Sequence, residues 1–114
     1  QMGDDLVPKL KANPEPEGMV TKYGLLRDKF LRERYDGART AMFLEGTLKA
    51  HLLEIQEQAR ERMEVLTSQM AEKEGVNEQL KAQDQMLWVR KMNSIQSRAE
   101  EVVLKELIYS RPIL

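Results

Sequence analysis

The chain has 114 residues, with 18 Lys and Arg against 19 Asp and Glu, one His and no Cys, for a net charge of −1. Without cysteine there are no disulfides and no thiolate metal sites. A hydrophobic fraction of 41% against 32% charged residues is too apolar for a disordered tail, no apolar run is long enough to cross a bilayer, and near-neutral charge excludes the surface-wide footprint of histone-like nucleic-acid binders. The expectation is one soluble, cytoplasmic domain.

Residues 1–19 are expected to form an extended or disordered N-terminal arm, because Pro8, Pro14 and Pro16 with Asn13 and Gly18 disfavour a sustained helix. Leu6, Val7 and Leu10 are the residues with which this arm would pin itself to a surface. Gln1 is an unusual first residue, which leads to the expectation either of a cleaved initiator-containing segment or of an added remnant.

A helical domain then spans 20–110, followed by a tail at 111–114. Tyr23, Leu26, Phe30 and Leu31 recur at helical spacing and Asp28 faces Arg32 one turn on, which predicts a helix over about 22–35. Asp36-Gly37 reads as its C-terminal punctuation. A short helix over about 38–45 carries Met42, Phe43 and Leu44 up to Gly46, and Thr47 is positioned to cap the next one. Leu48, Leu52, Ile55, Ala59, Met63, Leu66 and Met70 step by three or four residues through a helix over about 48–74, ended by Gly75. Asn77 caps a fourth helix over about 78–109, with Glu78 complementing its dipole and Leu80, Trp88, Met92, Ile95, Ala99, Val102 and Leu107 along its apolar side.

The predicted fold is therefore all-α. It is a long antiparallel hairpin with a shorter helix pair packed on it, the Gly75-Val76 link being too short for any other return. Met86 to Val89 are consecutive apolar residues, and at about 100° each they point all round the helix axis. A second broad patch runs from Val102 to Ile108. One hairpin partner cannot cover both, so the sequence favours a homodimer over a monomeric core completed by the N-terminal arm and the short second helix, with Leu87, Trp88, Met92, Ile95, Ala99, Val102 and Leu107 in the core or across the protomer interface.

Catalysis is not expected. His51 and Glu54 share a helix face, but a di-iron bundle needs two Glu-x-x-His units and here there is one histidine in the reverse order, so His51 is read as solvated or interfacial. There is no phosphate loop, dinucleotide turn or nucleophile elbow. No cofactor, metal or small-molecule substrate is implied, and no membrane. Trp88 among Met86, Leu87 and Val89 reads as core rather than as a base-stacking platform, and the methionines as gap-fillers.

Charge is unevenly placed. Residues 20–40 hold Lys22, Arg27, Lys29, Arg32, Arg34 and Arg39 against Asp28, Glu33 and Asp36, a net of +3. These six cations are the candidate phosphate contacts of a DNA-binding protein. The plainer account is that they match the acidic face of the following helix, with their stems covering apolar surface.

Several strings taken in order resemble one family. They are Lys22-Tyr23-Gly24 with Arg27 and Leu31, Leu52-Leu53-Glu54-Ile55 with Gln58-Ala59, Glu74-Gly75-Val76, Leu80-Lys81-Ala82, Asp84-Gln85-Met86 with Trp88-Val89, Met92-Asn93-Ser94-Ile95, Ala99-Glu100-Glu101 and Glu106-Leu107-Ile108-Tyr109. Together, from about Lys22 to Tyr109, they resemble the TnpV family, small accessory proteins carried by mobilisable and conjugative elements of Gram-positive bacteria. The resemblance implies a place beside a large serine recombinase, in excision, transfer or their control, with no established enzymatic activity. The expected function is a non-enzymatic accessory protein acting as a helical protein-interaction module. The alternative is a DNA-binding or excisionase-like factor, with DNA or the element's recombination or transfer proteins as its partners.

Overall fold

The computed structural model describes residues 16–113; the Leu6, Val7 and Leu10 arm expected to pin itself to a surface lies outside them. Five α-helices follow one another, α1 Lys22–Arg34, α2 Asp36–Glu45, α3 Leu48–Glu74, α4 Glu78–Gln83 and α5 Gln85–Val103, and a π-helical turn, Leu104–Ile108, ends the series. No strand occurs among the described residues, and none of their helices is long and apolar enough to cross a membrane.

The helix ends have local causes. Tyr35 alone separates α1 from α2, with φ −140° and ψ 52° and its N–H still on the Leu31 carbonyl. Asp36-Gly37 is therefore not the punctuation expected of it: Asp36 opens α2, where its carboxylate favours the positive end of the dipole, and Gly37 lies within the helix. The true stops are Gly46 and Gly75, both left-handed at φ 79° and 71°. At each, the following N–H reaches back to an orphan carbonyl, Thr47 to Met42 at 2.9 Å and Val76 to Ala71 at 2.8 Å, the six-to-one bond of a Schellman ending. The Thr47 hydroxyl also turns back, donating to Met42 O at 3.4 Å, and so serves the end of α2 rather than the start of α3.

The expected single helix over 78–109 is broken at Asp84. Asn77 caps α4 as anticipated, its Oδ1 accepting from Leu80 N at 2.9 Å. Asp84 then repeats the device, accepting from Leu87 N at 3.1 Å with its own backbone at φ −151° and ψ 85°. An aspartate competes for backbone N–H groups and favours caps over helix interiors, and here that preference prevails.

The chain divides into two compact units, residues 1–56 with 112–114 and residues 57–111, the division falling inside α3. In the first, Leu31, Leu48 and Leu52 form the core, and Val20, Phe30, Tyr35 and Met42 pack half-buried against it. The short helix pair thus rests on the beginning of α3. In the second unit, Ala59, Val76, Ile95, Ala99, Val103 and Ile108 are buried. Arg98 forks onto both Glu74 oxygens at 2.7 and 3.0 Å and Arg62 reaches Glu106 at 3.3 Å, so the α3 and α5 segments run antiparallel.

The π-helical turn sets the register of that core. Ile95, Ala99 and Val103 are four residues apart, but Ile108 follows after five and is equally buried at 0% exposure. In a straight α-helix five residues advance about 140°, which would carry Ile108 off the stripe. The wider turn, closed by Tyr109 N to Leu104 O at 2.8 Å, brings it back.

Candidate functional site

The N-terminal helix pair is fastened to α3 by side chains that each make two attachments. Gln56 donates through Nε2 to Met19 O at 3.0 Å and accepts at Oε1 from Thr21 N at 2.6 Å, clipping the chain that enters α1. Gly24 sits beneath this clip: a Cβ there would stand 2.6 Å from both Gln56 Oε1 and Val20 Cγ1. Asp28 holds α1 and α2 together, its two oxygens taking Arg32 at 2.6 Å and Arg39 at 2.8 Å.

Arg27 is buried, 2% exposed. Its Nε donates to His51 Nε2 at 3.1 Å, and its guanidinium lies 5.7 Å from the centre of the Phe30 ring. An acceptor at Nε2 fixes His51 as the neutral tautomer with its proton on Nδ1. Burial, and then the Arg27 charge, hold the His51 pKa below its ordinary value, against the opposing pull of Glu54. His51 is half-buried and works as a hydrogen-bond acceptor. No group of three His, Asp or Glu that could hold a metal lies together among the described residues.

Beside this framework lies an open groove of about 330 Å³, walled by Val20, Leu25, Phe43, Leu48 and Leu52 and edged by Asp28, Arg39 and Lys49. Its rim is apolar and wet: Leu25 is 57% exposed, Phe43 65% and the adjacent Leu44 77%. Sequence reasoning passed over these residues. A signal existed, since Met42, Phe43 and Leu44 are consecutive on a short helix and at about 100° each cannot all face its core side.

The candidate phosphate contacts fare unequally. Lys22, Lys29 and Arg34 are exposed, whereas Arg32 and Arg39 share Asp28. Arg27, expected among the phosphate contacts, points inward onto His51, because its long side chain packs under α1 rather than away from it. Of the residues expected in the core or an interface, Ile95 and Ala99 are fully buried; Leu87, Trp88, Met92, Val102 and Leu107 are half-buried. Val103 and Ile108, next to two of these, take fully buried places that periodicity did not single out. Lys81 covers the Trp88 ring at 4.6 Å.

The strings that carried the family resemblance fall on these structural points: Gly24 under the Gln56 clip, Gly75 at the left-handed turn, Asp84 at the α5 cap, and Ile95 and Ala99 in the core. No curated protein and no solved structure matches the sequence. The family model for transposon-encoded protein TnpV does, over residues 1–108, and the chain belongs to that family.

Proposed function

We propose that this transposon-encoded protein is a non-enzymatic accessory that works as a self-associating helical interaction module, with the groove between α1, α2 and α3 as its contact surface. The supporting observation is the exposed Leu25–Phe43–Leu44 rim beside an apolar groove on a chain rich in other, well-satisfied contacts. A two-fold interface needs one surface that carries both a projection and its receptor. Phe43 projects from the edge of the hollow that Val20, Leu48 and Leu52 line, and Leu44 beside it on α2 is exposed as well. A net charge of −1 puts little long-range repulsion between copies.

DNA binding through α1 receives less support, since Arg27, Arg32 and Arg39 are engaged with His51 and Asp28. Light scattering over a range of concentrations tests the self-association. The wild-type chain should reach twice its 13.2 kDa mass, and Phe43→Asp, at a solvent-exposed position, should remain at one mass with unchanged helical circular dichroism. A wild-type chain that stays at one mass throughout would refute it.

A further inference from the structure

His51 is the one histidine of the chain, and α1, α2 and α3 all reach it. Arg27 comes from α1, its Nε donating to Nε2 at 3.1 Å, and Glu54 acts from the next turn of α3. From α2 it is Met42 that faces His51, across an open hollow of about 520 Å³ that Thr47 and Ala50 also line. Arg27 and Glu54 are thus the charged groups that act on the imidazole. His51 is half-buried on the wall of that hollow, so a proton from solvent reaches the ring while the chain stays folded.

Arg27 connects this histidine to the exposed rim. Its guanidinium lies 5.7 Å from the Phe30 ring centre, and the Phe30 ring lies 5.7 Å from that of Tyr35, tilted at 55°. Tyr35 is the single residue between α1 and α2, so it sets how α2 leaves the corner. On α2 the exposed Phe43 and Leu44 come directly after Met42, which lines the hollow beside His51. The arrangement needs an acceptor at Nε2, and a protonated imidazole has none, because both its nitrogens donate. The guanidinium keeps its charge at any ordinary pH. Protonation therefore sets N–H against N–H and two like charges 3.1 Å apart, and Arg27, buried under α1, has no way to turn aside without shifting that helix.

We propose that His51 is a pH-operated switch of the Phe43–Leu44 rim: as the neutral acceptor of Arg27 it holds the corner between α1 and α2 in the form that presents the rim, and on protonation it expels Arg27, shifts α2 and weakens self-association. The inference rests on the self-association proposed above for the same rim. Burial and the Arg27 charge place the transition on the acid side of about pH 6.5. Each protomer takes up one proton on leaving the paired state, two per dimer, so the dissociation constant rises by up to about 100-fold per pH unit below the His51 pKa of the free chain. The linkage is reciprocal: pairing lowers the His51 pKa and dilution raises it.

Nuclear magnetic resonance of the full chain in dilute solution, titrated downward from about pH 7.5, follows the His51 imidazole together with the Phe43 ring and the Leu44 methyls, and sedimentation on either side of the His51 midpoint reads the dissociation constant. The rim signals should move with the midpoint of the imidazole while helical circular dichroism holds, and the dissociation constant should rise on the acid side. His51→Gln, an acceptor that does not titrate, should leave both flat. Glu54→Gln, at an exposed position, removes the pull that raises the His51 pKa and should carry the midpoint to lower pH. Rim signals unmoved through the His51 titration, or one dissociation constant on both sides of the midpoint, would overturn the switch. Rim signals that follow His51 in a chain that stays at 13.2 kDa at the higher pH would uphold the switch and count against self-association alone.

Discussion

Gly24 has no room for a methyl group. Placed 2.6 Å from Gln56 Oε1 and Val20 Cγ1, the Cβ of Gly24→Ala must displace the side chain that clips Met19 and Thr21 to α3. The expected cost is about 1–3 kcal/mol by urea denaturation, in the range of overpacking substitutions, and Gln56→Ala in the same chain should recover part of it by vacating the space. His51 supplies the pH dependence. Its pKa is depressed in the folded chain, so the unfolded chain binds the proton first as pH falls. The Arg27–His51 bond therefore stabilises fully above about pH 6.5, and that stability is lost as pH drops below it toward the folded value. Melting temperatures at about pH 7.5 and 5.5 should fall on acidification, and His51→Gln, which keeps an acceptor but does not titrate, should remove that part of the difference. Neither effect was legible from residue spacing. The sequence shows a lone histidine and a lone glycine within helical patterns, and only the approach of elements distant in the chain tells what each one touches.

Helix existence followed from periodicity, and α3 runs over the expected span of 48–74, because its apolar residues recur without interruption and Gly75 offers one clear stop. The segment after it was less legible. Asp84 is compatible with a helix by pattern, and its preference for capping decided the break once Leu87 N came within reach. At the far end the sequence reading takes Val102 and Leu107 from the adjacent pairs Val102-Val103 and Leu107-Ile108, although either member of each pair keeps an apolar stripe. The π-helical turn resolves the choice in favour of Val103 and Ile108, both at 0% exposure. Ile108→Ala should therefore cost about 2–5 kcal/mol in chemical denaturation, and Leu107→Ala, half-buried, clearly less. Equal costs, or the reverse order, would mean that the last turn is an ordinary α-helical one.

For the whole molecule, the net charge of −1 conceals segments of opposite character. Within the basic excess of residues 20–40, Arg27, Arg32 and Arg39 are engaged with His51 and Asp28 while Lys22, Lys29 and Arg34 stay exposed; α3 shows glutamates to water and the first turns of α5 show none. A count along the sequence locates charge but not its partners, which is why α1 reads as the electropositive surface until its arginines are seen engaged. Apolar exposure is redistributed in the same way. The sequence points to the C-terminal helix as the greasy surplus, yet its Val103 and Ile108 are covered and the wettest large apolar residues of the helices include Leu44 and Phe43. Self-association through that rim is the central claim. Because the chain has no cysteine, a single nitroxide can be attached at Leu44→Cys or, for comparison, at the exposed Gln69→Cys, and intermolecular distances read by pulsed electron resonance. A short, well-defined distance between copies from position 44, abolished by Phe43→Asp, is the predicted result; no dipolar coupling between copies at position 44 would contradict it.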